Sequence, residues 1–561
     1  METGMLMNRR VIYKTALASG MLVFANLAMA GDVKLDTGID VEWVEQRVKL
    51  LENDTNIDSS NQILKPFAQV AYVGRDIRAS FEGTYNYVHR QLDGETSTQN
   101  YPELSYSADY DVVAGLLNIS ARGAQNYRSE GINSFLVDDF LLNGDNLNKT
   151  TTQQAAATLT LPRGRYFGLN SSASYRKNSS ERNENNTSSA GSLFDSQSYG
   201  LSFSALSGKR IRGIRSNITG NFNYVQRSNN QDFVSQSLNF SNDINVYKQL
   251  GLAINASYEN NELKTDADES FDGFREFYTI GAGIVWQSGD NRFLKALLNR
   301  SFTEPVGGIG DTEEDSFISY DVNWRFSNRT SVRGGFTKRF FGDAGNVDIT
   351  YKLRNWRSSI SYRESVNTNS QLANNTDDAL FICPGGSTNI ADCTLSDTLN
   401  PELETGETLQ PIAVQNFDLN DRVVLNKNLT AQTAVTRRRT TLSLTGIKSQ
   451  VEELEFDRVF DTESIKLQLS FNISARSNLS LAYNYSSIES VNSAEREDQT
   501  TREQSVNLTR KLTKRFSASI SLRHLKRVGD LNRNNVSFRG LNGPLTDKRL
   551  TFRVSYNFGN G

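Results

Sequence analysis

The sequence predicts an all-β fold: a single transmembrane antiparallel up-and-down β-barrel of about 24 strands, with 22–26 as the range. Three observations predict it. Apolar and polar residues alternate with period two along most of the chain. Most alternating segments run to about 10–14 residues, close to the ~9–11 a tilted membrane strand needs and well above the ~5–6 of soluble strands. The connections alternate between short turns and longer polar segments, as in bacterial outer-membrane barrels.

The first segment is not part of the barrel. Arg9, Arg10 and Lys14 form a basic region, 15–27 is apolar, and Ala28-Met29-Ala30 is a small-residue cleavage site. Residues 1–30 therefore read as a signal peptide cleaved after Ala30, and 31–561 as the barrel. Export by that signal, taken with the barrel pattern, is expected to place the protein in the cell outer membrane of a Gram-negative bacterium.

The first alternating segment is Val33, Leu35, Thr37, Ile39, Val41 and Trp43, interleaved with Lys34, Asp36, Gly38, Asp40 and Glu42. One face is apolar and the other polar, the signature of a half-buried strand. The same holds from Ile77 to Tyr87, from Tyr278 to Trp286, from Ile318 to Phe326 and from Ile465 to Ile473. Strands are predicted to start near 33, 63, 77, 101, 115, 150, 166, 196, 213, 233, 251, 274, 292, 316, 330, 346, 356, 423, 441, 464, 479, 503, 516 and 548. Segments 292–302 and 330–341 have mixed faces, which leaves the count open by two either way.

Every second connection is short, such as Gly74-Arg75-Asp76, Ser327-Asn328-Arg329 and Thr513-Lys514-Arg515. The others are predicted as long polar loops at 46–62, 90–100, 129–149, 178–195, 260–273, 303–315, 366–422, 450–463, 489–502 and 526–547. An even strand count puts both termini on the short-turn, periplasmic side. The chain closes on Leu550, Phe552, Val554, Tyr556 and Phe558, which resembles the signal handed to the barrel assembly machinery. A string of soluble sandwiches would need inter-domain breaks, and a β-helix a fixed short repeat; neither is visible.

On the apolar face, Trp43, Tyr87, Tyr175, Tyr258, Trp286, Trp324, Tyr485 and Phe558 suit interfacial aromatic girdles. The polar face is rich in Ser, Thr and Asn, with an excess of cations expected to line the lumen: Arg215, Arg227, Arg325, Lys352, Arg357, Arg363, Lys466, Arg523 and Arg553. Such a wall can hydrogen-bond sugars and attract anionic groups. A bland alternative is a wet wall whose charges pair with Glu82, Asp321 and Asp348. Short turns are basic, as in Arg437-Arg438-Arg439, and long loops acidic, as in Asp311-Thr312-Glu313-Glu314-Asp315.

The net charge of −3 suggests no nucleic-acid partner, and two His and two Cys leave little material for a metal or cofactor site. Cys383 and Cys393 lie together in the longest loop and are expected to form a disulfide in an exported chain. His89 and His524 fall on the lipid-facing side without a neighbouring serine in sequence, so no catalytic residue is predicted and the chain is read as no enzyme. The first strand begins close to the cleavage site, which leaves no room for an N-terminal plug and argues against a TonB-dependent receptor. A barrel this wide needs a constriction, and loop 366–422 is the expected lid.

The mature chain resembles the outer-membrane barrels of the PEP-CTERM/exosortase system and its exopolysaccharide loci. The likeness rests on the Val33–Trp43 opening strand, on the stretch from Asn420 to Leu429 leading into Thr436-Arg437-Arg438-Arg439-Thr440, and on the closing strand. It implies a channel or accessory for export or assembly of surface exopolysaccharide. The alternatives are a general or substrate-specific diffusion porin, and a structural or assembly barrel without transport. Expected partners are outer-membrane lipid and lipopolysaccharide, polysaccharide, and periplasmic export components.

Overall fold

The computed structural model describes residues 31–51, 54–92, 95–129, 140–143, 147–181, 195–211, 213–228, 231–264, 275–288, 292–305, 312–368, 380–384, 394–395, 407–411, 422–454, 458–491, 498–529 and 544–558. The first half of the wall comprises β1 (Asp32–Leu50), β2 (Thr55–Val73), β3 (Ile77–Leu92), β4 (Glu95–Val113), β5 (Leu117–Ser129), β6 (Leu147–Leu161), β7 (Phe167–Glu181), β8 (Asp195–Ser207), β9 (Ile214–Arg227), β10 (Asp232–Tyr247), β11 (Leu250–Lys264) and β12 (Arg275–Gln287). It continues through β13 (Phe293–Pro305), β14 (Glu313–Arg325), β15 (Thr330–Arg339), β16 (Gly342–Lys352) and β17 (Trp356–Thr368). After the longest loop come β21 (Val423–Arg437), β22 (Thr440–Glu453), β23 (Arg458–Ser474), β24 (Ser477–Ser490), β25 (Asp498–Lys511), β26 (Phe516–Gly529) and β27 (Leu545–Asn557). Inside that loop, β18 (Leu380–Pro384), β19 (Thr394–Leu395) and β20 (Glu407–Pro411) form a separate small sheet.

These 24 strands make one sheet in which each pairs antiparallel with its chain neighbours. The sheet closes because β1 pairs with both β2 and β27, in register from Gly38↔Asn557 to Leu50↔Leu545. Closure removes the unpaired edges that an open sheet would expose. The predicted starts lie within four residues of the observed ones except for β2, β4, β23 and β25, which begin five to eight residues earlier. Three predicted loops are corrected. Segments 46–62, 90–100 and 450–463 are mostly strand, since β1 runs to Leu50, β2 starts at Thr55, β3 runs to Leu92, β4 starts at Glu95, β22 runs to Glu453 and β23 starts at Arg458. There the ladder of backbone hydrogen bonds continues past the end of the apolar alternation, which is all a sequence pattern registers.

Along most of the wall the alternating apolar set keeps to one face. Trp43, Leu252, Ile254, Ile280, Ile284, Leu298, Tyr320, Leu467, Leu522 and Leu550 are all exposed. Aromatics gather at two heights on this face. Tyr175 and Tyr199 lie 5.3 Å apart and Tyr258 and Tyr278 5.0 Å apart toward the long-loop end. Trp286 and Trp324 lie 5.1 Å apart, and Tyr351 and Trp356 5.7 Å apart, toward the short-turn end. From Tyr278 to Trp286 is about 27 Å along the strand at ~3.4 Å per residue. At a tilt of about 40° that spans roughly 21 Å of height, most of the apolar band, roughly 25 Å tall, of outer-membrane barrels.

The wall is uneven in height. β1, β2 and β4 have 19 residues each, whereas β15 and β16 have 10 and 11. On the tall side, the four-residue helical turn Phe140–Asn143, between β5 and β6, sets Phe140 and Leu141 against Val44, Ile63, Val88, Tyr101 and Leu147. Val44, Ile63 and Val88 stand on the face opposite exposed Trp43, Leu64 and Tyr87, so the turn packs on the inner side of the wall. The Arg90 guanidinium donates to the Phe140 carbonyl, and the Phe140 ring stacks on Tyr101 at 4.6 Å.

Candidate functional site: the lumen and its basic wall

Contacts between strands that are not neighbours identify the concave face. Lys295 on β13 reaches Asp243 on β10 at 2.6 Å and donates to Ser241 Oγ at 2.9 Å, across β11 and β12. Arg339 on β15 pairs with Glu259 on β11 across three strands, its Nε at 2.9 Å from Glu259 Oε2. All five residues stand on the face opposite the exposed apolar set. That polar face is the lumen.

The crossing between β10 and β13 needs small residues on the strands it spans. Asp243 is opposite Ala253, Ala253 opposite Gly283, and Gly283 opposite Leu297. A Cβ at Gly283 would overlap the Ala296 carbonyl oxygen, so the sheet curves sharply here and glycine permits it. Ala253, Val285 and Leu297 form a dry cluster under the ion pair, with Phe293 beside it. This resolves the mixed faces of 292–302. Leu294 and Leu298 face outward while Phe293 and Leu297 face a packed part of the lumen, so both faces of β13 are apolar.

At the long-loop end a second apolar cluster unites Val225, Phe233 and Leu263, from β9, β10 and β11, with Val423 of β21. Six strands, β12 to β17, separate β11 from β21 around the ring. This cluster and the Phe140 turn both place apolar side chains inside the wall toward the long-loop end. Both features were missed in sequence, because an apolar residue near a strand end carries no sign of what lies across the barrel. Most of 366–422, the expected lid, lies outside the described residues. Cys383 is in β18, and Cys393, its expected disulfide partner, also lies outside them.

The nine lumen cations read from sequence all stand on the polar face. They do not gather into one site. Arg553 joins Glu42, its Nε 2.7 Å from Oε1, and Lys65 joins the same carboxylate at 3.0 Å. These three tie the last strand to the first two. Arg523 bonds Glu503 at 3.1 Å. Arg227 is almost fully buried, with Nε on the Gln231 carbonyl at 2.5 Å. Arg215 is directly opposite Asp243, and Lys466 faces Asn484 and Thr445.

The remaining four converge on adjacent strands. Arg325 on β14, Lys352 on β16, and Arg357 and Arg363 on β17 share the inner face with Arg333 of β15, which sequence reading left out. Lys352 is directly opposite Arg357, and Arg333 directly opposite Asp348. Arg363 lies 3.6 Å from Asp348, and Asp321 is the other carboxylate on this wall. Five cations face two carboxylates, and all five are exposed. Ser331 and Thr350 add a hydroxyl pair at 2.6 Å. This wall offers weak, repeated, water-accessible contacts to anionic or hydroxyl-rich solutes, in the half of the lumen nearer the short turns.

No protein-family model and no curated protein matches the chain. Solved structures with a similar outline include the siderophore receptor PirA from Acinetobacter baumannii, at 9% identity and TM-score 0.41, covering 93% of this chain and 80% of that one. The FrpB iron transporter from Neisseria meningitidis (F3-3 variant) is similar at 10% identity and TM-score 0.43, covering 93% and 81%. The copper transporter OprC stands at 8% and 0.37, covering 94% and 80%. At these values the likenesses carry no functional argument.

Proposed function

We propose that this chain is an outer-membrane barrel that serves the passage or assembly of surface exopolysaccharide, without enzymatic activity. The observation that carries the reading is the wall of Arg325, Arg333, Lys352, Arg357 and Arg363, exposed to the lumen among serine and threonine hydroxyls. The exposed apolar face and its two aromatic girdles support the membrane placement. Weak sites of one sign let a polymer slide, where a single tight site would hold it. The resemblance to exopolysaccharide-locus barrels points the same way.

A freely open diffusion porin fits less well, because an apolar cluster joins β9–β11 to β21 at the long-loop end and ion pairs tie non-neighbouring strands along the inner wall. A structural barrel without traffic remains the second reading, favoured by the same bridging. Deleting the gene and staining surface polysaccharide separates them. Loss of polysaccharide, restored by the wild-type gene and not by a variant with the five wall cations replaced by glutamine, supports passage. Unchanged polysaccharide on deletion overturns it.

A further inference from the structure

The outer face of the barrel carries a second basic group, unconnected to the lumen. Arg47 on β1 is directly opposite Lys548 on β27, and Lys548 directly opposite His524 on β26. One step toward the long-loop end, Lys526 on β26 is directly opposite Arg502 on β25. All five share the face of exposed Leu522, Leu550 and Val506, immediately beyond the apolar belt. Cross-strand partners lie about 5 Å apart, and like charges so placed repel. Arg47 is compensated by Asp58 at 2.6 Å. Among the described residues no carboxylate lies in ion-pair distance of Lys526, Lys548 or Arg502. Two single outward cations elsewhere on this face are paired, Lys448 with Glu463 at 2.8 Å and Lys149 with Glu181 at 3.1 Å.

A surface cavity of about 1030 Å³ overlaps part of the group, and Lys526 and Arg502 stand outside its lining. Arg47, His524 and Lys548 line its polar side together with the carboxylates Glu45 and Asp58, the latter held by Arg47, and Val506, Leu522 and Leu550 line its apolar side. A ligand that fits both must be anionic at one end and apolar at the other.

We infer that this cavity holds the phosphorylated head of an outer-leaflet glycolipid, with its acyl chains along Val506, Leu522 and Leu550. The phosphate sits at the rim of the cavity, between Lys548 in its lining and Lys526 and Arg502 one step beyond, and offsets their mutual repulsion. The inference rests on the outer-membrane placement proposed above. It gives the β25–β27–β1 sector, which contains the closing seam, a lipid ligand of its own.

The test uses the full barrel in nanodiscs containing bis-phosphorylated lipid A or its dephosphorylated form with the same acyl chains, with bound lipid counted by native mass spectrometry. Wild-type protein is expected to retain the phosphorylated lipid preferentially. The triple variant Arg502→Gln, Lys526→Gln, Lys548→Gln is expected to retain about tenfold less, and Lys448→Gln the same amount as wild type. Equal retention of both lipids by wild-type protein overturns the inference, and does so even if the triple variant fails to fold. Equal retention by wild type and a folded triple variant overturns it too. Membrane fractionation separates the two readings: a barrel found in the outer membrane that shows no lipid preference sinks this inference alone.

Discussion

Lys295 Nζ lies 2.6 Å from Asp243 although two strands stand between them in the ring. Both side chains are largely buried, and Lys295 also donates to Ser241. Removing one partner of a buried pair leaves an uncompensated charge and costs about 3–5 kcal/mol. Arg215, directly opposite Asp243, moderates this, so Lys295→Met is expected near the lower end of that range. The urea midpoint of the detergent-solubilised barrel reports it. A midpoint equal to wild type is incompatible with a structural crossbar, and Lys295→Met combined with Asp243→Asn is expected to recover part of the loss.

The closing seam makes a similar prediction. Glu42 is nearly fully buried and accepts from both Arg553 and Lys65. Glu42→Ala removes the carboxylate that Arg553 and Lys65 share, with Asp40 left nearby as partial compensation, and about 3 kcal/mol of stability is lost. Heat-modifiable migration in gels is expected to shift to lower temperature. Glu503→Ala, which removes the single partnership with Arg523, is expected to shift it less.

The lumenal wall sets ion selectivity. Replacing Arg325, Arg333 and Lys352 by glutamate turns five cations against two carboxylates into two against five. In planar bilayers under a salt gradient the reversal potential is expected to change sign, from anion- to cation-selective. The difference shrinks as salt rises, since exposed charges are screened over about 10 Å at 0.1 M. A selectivity insensitive to these three changes places the conducting path elsewhere.

Two segments compete as the constriction. Phe140 and Leu141 pack inside the wall, whereas loop 366–422 was the choice from length alone. Deleting 130–146 is expected to raise single-channel conductance. If only deletion of 369–421 does so, the length argument was the better guide.

Arg438 closes the two-residue turn between β21 and β22 with φ of 52°. A side chain in the left-handed region costs about 1–2 kcal/mol relative to glycine. Arg438→Gly is therefore expected to raise the unfolding midpoint slightly, with conductance unchanged. A lower midpoint would mean that the guanidinium makes contacts that outweigh the strain.

Much of the architecture was legible because a barrel wall has one apolar side and strand geometry has period two. Ile318, Tyr320, Val322 and Trp324 announce β14 and its outward face with no reference to any partner strand. The nine cations fell on the inner face for the same reason, since parity relative to an apolar neighbour is a local property. The ends of β2 and β4 were misplaced because their ladders run on beyond the belt, where neither face needs to be apolar.

The sequence by itself determined the strand count to within two, the direction of most faces and the alternation of short turns with long loops. These follow from local alternation and turn length, read one hairpin at a time. Only the tertiary structure decided which inward residues meet across the lumen. Lys295 finds Asp243 because Ala253 and Gly283 let the sheet curve tightly between them, Arg339 finds Glu259 across three strands, and the packing of Val423 on Phe233 depends on the whole ring closing. Curvature summed over many strands is a global quantity, and no window of sequence contains it.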